Sequence, residues 1–528
     1  MKRRRFGLVL IIGLAAVLRL VGLGSNPPSL YWEEAALGYD AYSLWRTGKD
    51  YHGNSFPLVA FPSFGDYKPS LYFYVAAPFV GTLGLSEMAV RLPSALAGLL
   101  TVWLIYVISR RLQFSENVSL LTALLLAISP WHIQFSRAAF EVNLATMVFL
   151  VGLNFFFSGL QRPSRLVLAS IFWVLSMYGY HSFRIIVPLM GLALVLWYRK
   201  VISRWWLVIS AAIFLVLVLP ILLAWRQPLV QQRFAETSFL SESRAVVVTN
   251  RLREVNGNSW WSRIIYHRYW WWLGEILSNY AKHFSVNFLF LTGDENWRHG
   301  TKEFGLLYHW ELLTILAALY YGVLKKEKGL VPVFLWLAVV PMPIAITKAT
   351  PHGLRFLPAA PALAIISAYG LTRVLNWLLH HKLGLVRFGL WAVMGFEAVV
   401  YWHFYTAHYP RLAAVHWQYG YKEAVAYTEA VKEKYQTIVF TRAYGRPSIY
   451  LMFYGKYDPA KVQLVEEKLP KDQLELLSLD KYQFIVPAKM TGRTLWVVVP
   501  QELPAGVLPV HRVYFLDGKE AFVMYETV

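Results

Sequence analysis

The 528-residue chain has no cysteine, which excludes disulfides, thiolate nucleophiles and cysteine-ligated zinc. It is also poor in charge. Only 16% of its residues are charged and 57% are hydrophobic, against about 25% and about 45–50% in a soluble domain. One large soluble enzyme is therefore excluded. Acids are the scarcer sign, with 31 Asp and Glu against 51 Lys and Arg, a net charge of +20. A nucleic-acid binder would gather that excess on a soluble domain. Here many of the cations sit in short loops between apolar runs, the pattern of positive-inside membrane topology. No HExxH, P-loop, EF-hand or strand-borne GxGxxG pattern occurs. There is no internal repeat, and so no pair of related halves of the kind that marks many transporters.

Apolar runs of roughly 20 residues, long enough to cross the bilayer, are abundant. Basic marks at Lys2–Arg5, Arg110–Arg111, Arg162–Arg165, Arg199–Arg204, Lys325–Lys328 and His380–Arg387 define the inner side. An even number of crossings between consecutive marks gives about 11 transmembrane helices. They are expected near 6–24, 91–109, 117–130, 139–159, 165–180, 184–198, 206–224, 305–324, 330–347, 355–378 and 385–405. The N-terminus is then cytoplasmic. The apolar stretch Leu71–Leu85 does not fit the parity and is expected to lie in the interface or re-enter. Outer loops fall at about 25–91, 129–138 and 225–304, the last with helical pieces of its own. After Tyr409-Pro410 the pattern changes to a soluble α/β domain, 410–528, on the extracytoplasmic side. A helix is expected over Glu423–Tyr435. Strands are expected over Thr437–Phe440, Phe484–Val486 and Leu495–Val499, with a hairpin around Asp517-Gly518.

The outer loops carry the chemistry-bearing residues. Trp32-Glu33-Glu34-Ala35 sets two carboxylates among aromatics at the end of a membrane helix. Such acids can supply a general base and an orienting partner, or simply favour a helix N-terminus. Asp40 lies seven residues after Glu33, on about the same helical face. Asp66-Tyr67-Lys68-Pro69-Ser70 puts a lysine at headgroup depth, either to hold a phosphate or to snorkel. Arg137 and Glu141 are spaced i, i+4, which suits a local ion pair or a cation and an acid for a substrate. His181 with Arg184, and His352 with Arg355, repeat the pairing of histidine and arginine beside helix ends. Such pairs suit a phosphate or a sugar hydroxyl.

Taken together, these segments resemble the membrane glycosyltransferases that use a polyprenyl-phosphate-linked sugar. That family includes the protein O-mannosyltransferases and the aminoarabinose transferases, glycosyltransferase family 39. Trp32-Glu33-Glu34-Ala35 is similar to the family's first-loop Asp-Glu motif, and Tyr67-Lys68-Pro69 to its Lys-Pro-Pro element. Glu87–Ala95 resembles the segment leading into its second helix, and Ser136-Arg137 with Glu141 its second-loop Ser-Arg motif. The chain has Glu where the family usually has Asp at positions 33 and 141, and Ser70 where it has Pro.

The resemblance implies a polytopic α-helical membrane protein of the GT-C fold. Residues 1–409 would be its transmembrane glycosyltransferase domain. A sugar would move from the lipid donor to a protein, glycolipid or wall-polymer acceptor, with inversion and without a metal or other cofactor. Glu33, Glu34 and Glu141 are the catalytic candidates. Lys68, Arg137, Asp40, Tyr67, His181, Arg184, His352 and Arg355 are the substrate-binding ones. The competing reading from the residues is a lipid or glycolipid transporter or flippase. Membrane lipid is an expected partner, the cell (plasma) membrane the expected location, and nucleic acid is not a partner.

Overall fold

A computed structural model describes residues 2–224, 237–470, 473, 475–486 and 492–527. The first residues of the long outer loop expected from 225 onward, 225–236, lie outside that set. The chain divides into two compact units.

The first unit, Met1–Leu18, Gly98–Phe135 and Val142–Ala398, is helical. Each of the eleven expected spans falls on a helix. Among the described residues, five helices are long and apolar enough to cross a membrane by themselves: Glu87–Arg111, Glu141–Gly159, Arg204–Ala224, Gly353–His380 and Gly384–Leu412. The expected short third span is a bent pair, Glu116–Ile128 and Pro130–Ser136, turned by 59°. Shorter apolar helices include Phe6–Leu20, Arg165–Met177, Phe183–Tyr198 and Leu330–Ala345. The coarser description therefore stands: a multi-pass helical membrane protein.

Burial separates the helices by position. Gly353–His380 is mostly enclosed, whereas Arg204–Ala224 leaves most of its apolar surface open, as a lipid-facing helix does. A glycine permits one close helix crossing. A Cβ at Gly370 would lie 1.7 Å from the Thr314 carbonyl oxygen, so only glycine lets Ala360–His380 meet His309–Lys325 there. Thr314 and Ser367 share a hydrogen bond of 2.8 Å across the same crossing. Residues 237–304 carry helices Arg244–Val255, Trp260–Ile265 and Arg268–Lys282, in line with the helical pieces expected there.

The second unit gathers Arg19–Ala97, Ser136–Glu141 and Val399–Val528. It thus joins residues 19–97 to the C-terminal residues. Its sheet has six strands in the order Ser478–Leu479, Tyr482–Gln483, Thr437–Phe440, Thr494–Val498, Glu520–Thr527, His511–Tyr514. Thr437–Phe440 is parallel to both its neighbours, and the outer pairings are antiparallel. The strand expected at Phe484–Val486 lies two residues earlier, because Tyr482 rather than Phe484 pairs with Ile438. The expected hairpin around Asp517-Gly518 forms.

The loop helix Trp32–Thr47 packs on helices Pro447–Tyr454 and Pro459–Glu466 of the same unit. Gly38 permits the approach: a Cβ there would lie 2.5 Å from Val90 and 2.7 Å from Phe453. Tyr450 donates to the Leu30 carbonyl at 3.1 Å, and Gln463 donates to Ser43, Thr47 and the Asp50 carbonyl. The loop helix is thus backed by folded protein along its length and ends at Gly48 in the left-handed conformation.

Candidate active site

The second unit contains Glu33, Glu34, Asp40, Tyr67, Lys68, Arg137 and Glu141. The first contains His181, Arg184, His352 and Arg355.

Glu33 and Glu34 open the helix Trp32–Thr47, where the backbone dipole favours acids. Consecutive helical residues point about 100° apart, and the two carboxylates have different fates. Glu33 is partly exposed and meets Lys68 Nζ at 2.9 Å. The Tyr31 hydroxyl donates to its other oxygen at 3.4 Å. Lys68 comes from a hairpin in which Ala60–Ser63 pairs with Asp66–Pro69 and Phe61 stands opposite Lys68. The tight turn at Phe64 and Gly65 has positive φ at both residues, the twist a two-residue hairpin requires. Asp66 lies 3.8 Å from Lys68, so two carboxylates flank one ammonium. Tyr67 is held by its own amide donating to Asp66 at 2.7 Å.

Glu34 is completely buried. Arg91 grips it with two parallel hydrogen bonds of 3.0 Å, and the Ala139 amide donates to it at 2.7 Å. Arg91, buried as well, also donates to the carbonyls of Leu23, Pro27 and Ser29 and lies over the Trp417 ring. This pair fastens the start of the loop helix to the segment Ser136–Glu141. It also shapes the chain between Leu23 and Ser29.

Arg137 is buried and donates to the carbonyls of Asn26 at 2.9 and 3.1 Å and of Gly22 at 3.0 Å, with its guanidinium over Trp402 and Tyr405. It sits in the turn between helices Pro130–Ser136 and Glu141–Gly159, so the i, i+4 relation expected between Arg137 and Glu141 is not helical. Glu141 is nearly buried in the first turn of its helix. Asp40 accepts from the Tyr51 amide at 3.0 Å, and its other oxygen is buried without a partner among the described residues. Burial, and then the nearby Asp50 charge, hold its carboxyl well above the usual carboxylate range.

In the first unit, Arg184 donates to the Met177 carbonyl at 3.4 Å and Arg355 to Thr347 at 2.7 Å. His352 faces Asp294 and His299, two residues that the sequence reading did not single out. Arg91 was visible only as the start of a helix motif. An arginine within an apolar run is the signal for it, since such a charge persists only when paired.

Residues 67–225 match the sequence profile of the family described as dolichyl-phosphate-mannose-protein mannosyltransferase. The match contains Tyr67, Lys68, Arg91, Arg137, Glu141, His181 and Arg184, while Glu33, Glu34 and Asp40 precede it. No curated protein sequence matches the chain. Among solved structures, ArnT from Cupriavidus metallidurans in the apo state is similar with a TM-score of 0.57 at 14% identity, covering 98% of this chain and 97% of that one. The same protein bound to undecaprenyl phosphate gives 0.51 at 15%, covering 98% of each. The oligosaccharyltransferase of Archaeoglobus fulgidus, tethered to an acceptor peptide, gives 0.50 at 13%, covering 85% of this chain and 63% of that one.

The resemblance read from the sequence stands. At these identities the structural likeness shows the fold alone, which is of the GT-C type, and the family match spans residues 67–225, less than a third of the chain. Together they support a membrane glycosyltransferase that takes its sugar from a polyprenyl-phosphate donor, and nothing among them favours a flippase.

Proposed function

We propose that the chain transfers a sugar from a polyprenyl-phosphate-linked donor to a protein, glycolipid or wall-polymer acceptor on the extracytoplasmic face. The N-terminus is then cytoplasmic and residues 410–528 lie outside, an orientation supported by the basic marks on the inner loops. The observation that carries the site assignment is the 2.9 Å contact between Glu33 and Lys68 in partly exposed surroundings. Donor phosphate oxygens offer Lys68 a further anionic partner beside Glu33 and Asp66 and draw it from Glu33. Glu33 then takes the proton of the acceptor hydroxyl as its oxygen attacks the anomeric carbon. The bond from that carbon to the phosphate oxygen breaks, and the polyprenyl phosphate leaves with its charge held by Lys68. Attack opposite the leaving group inverts the anomeric centre.

Glu34 and Arg137 are assigned supporting roles in this scheme. Each is already committed, to Arg91 and to backbone carbonyls respectively, and moving either would leave buried groups unpaired. Glu141 and Tyr67 remain candidates for positioning donor or acceptor.

The test is transfer of labelled sugar from a panel of short-chain polyprenyl-phosphate hexoses and pentoses to membrane extracts containing the protein. Label in an acceptor supports the proposal and identifies that acceptor. No transfer from any donor, with purified protein moving such lipids between vesicle leaflets, would replace it with the transporter reading.

A further inference from the structure

The first unit brings two histidines and an aspartate from distant parts of the sequence to one point. Asp294 and His299 lie in the outer loop between Leu291 and Tyr308, and His352 precedes the helix Gly353–Phe356. Asp294 Oδ2 is 3.2 Å from His299 Nδ1 and 3.9 Å from His352 Nδ1. The ligating atoms of all three residues lie within 4.8 Å of one another.

An ordinary histidine–aspartate ion pair accounts for His299 but not for His352. Its Nδ1 is buried and has no hydrogen-bond partner among the described residues. The carboxylate oxygen it faces is already occupied. Asp294 Oδ2 accepts from the Gly353 amide at 2.6 Å as well as contacting His299. If both imidazoles carried a proton on Nδ1, its two lone pairs could not serve three donors. A cation removes the conflict, because both imidazoles then present lone pairs instead of competing protons.

The surroundings are built to hold this arrangement. Asp294 Oδ1 accepts from the Asn296 amide at 2.8 Å, which orients the carboxylate. A Cβ at Gly353 would lie 3.1 Å from Asp294 Oδ2, so a larger residue there would crowd the carboxylate. Trp131 donates to the Gly353 carbonyl at 3.0 Å, and Gln134 donates to the Arg298 carbonyl at 2.8 Å. Both sides of the cluster are thus fixed to the same short helix, Pro130–Ser136. Such supporting contacts orient the ligands in metal sites.

We propose that Asp294, His299 and His352 bind one divalent transition-metal ion, zinc by ligand type, which clasps the loop 292–308 to the turn 350–353. Two imidazoles and a carboxylate suit zinc, with a fourth position left for water. Donor atoms around a tetrahedral zinc are about 3.3 Å apart, close to the spacings of 3.2 and 3.9 Å from Asp294. The ligands must be deprotonated to bind a metal, so affinity falls at acid pH. This inference is independent of sugar transfer.

The test uses the full chain purified in detergent, stripped with a chelator and titrated with zinc chloride. Bound zinc and melting temperature are followed, with His352→Ala, His299→Ala and a control, His381→Ala. The expected result is about one zinc per chain and a rise in melting temperature for wild type and the control. A ligand variant should bind at least about 100-fold more weakly, since even a lost supporting contact costs about 10–100-fold. If a ligand variant fails to fold, stripped and reloaded wild type decide the matter. No stoichiometric zinc and no shift in wild type, or equal binding by wild type and both ligand variants, overturns the proposal.

Discussion

Glu34→Ala tests whether the second acid of the loop motif reacts or supports. Removing the carboxylate strips Arg91 of two hydrogen bonds of 3.0 Å and the Ala139 amide of one of 2.7 Å, all out of contact with water. Breaking a buried ion pair from one side costs about 3–5 kcal/mol. The carbonyls of Leu23, Pro27 and Ser29 still hold the guanidinium, so the lower part of that range is expected. Glu34→Gln keeps an acceptor for Ala139 and one bond to Arg91, and should lose only about 1.5–3 kcal/mol, the worth of a charge-assisted hydrogen bond. The assay is denaturant unfolding of the detergent-solubilised protein, followed by tryptophan fluorescence, beside sugar transfer. Alanine should shift the midpoint strongly and glutamine less, with transfer by the glutamine variant falling only in step with folded protein. A midpoint within about 0.5 kcal/mol of wild type, together with abolished transfer, would refute the reasoning and place Glu34 among the reacting groups.

Further outcomes follow from the same structure. Asp40 has its folded pKa raised above the unfolded value of about 3.9. The native state therefore holds the extra proton, and stability present below that value is lost as pH rises through the window up to the folded pKa. Asp40→Asn keeps an acceptor for the Tyr51 amide, and should raise the melting temperature more at pH 8 than at pH 5; an equal effect at both would count against a protonated Asp40. Gly38→Ala should cost about 1–3 kcal/mol by overpacking, because its Cβ would meet Val90 and Phe453; a neutral result would show that the loop helix does not pack there. Lys68→Arg keeps the charge and should retain more transfer than Lys68→Ala at saturating donor, whereas equal losses would mean that the cation is not the feature required.

The apolar helices were legible because apolar length is a local property. Pro130–Ser136 was not, because its 59° bend from Glu116–Ile128 depends on contacts far away in the chain. The motif Trp32-Glu33-Glu34 announced two acids, but their division of labour depends on Arg91, 57 residues on. The i, i+4 spacing of Arg137 and Glu141 suggested one helical face. Instead the chain leaves the helix after Ser136, the Ala139 amide reaches Glu34, and Arg137 reaches back to Gly22 and Asn26. His352 was noticed as a possible phosphate contact, yet its neighbours Asp294 and His299 lie more than fifty residues away in sequence, where spacing gives no signal. The joining of residues 19–97 to the C-terminal residues is tertiary as well, since it rests on Gly38 meeting Phe453.

The most direct measurement is single-turnover sugar transfer by Glu33→Gln and Lys68→Ala beside wild type, at matched folded concentration judged by melting temperature. Loss of a general base predicts a fall of about 10²–10⁴-fold for Glu33→Gln. Loss of the phosphate cation predicts about 10²–10³-fold for Lys68→Ala, with melting unchanged in both because the pair is partly exposed. Wild-type transfer rates in either folded variant would contradict the assignment of this pair as the reacting centre.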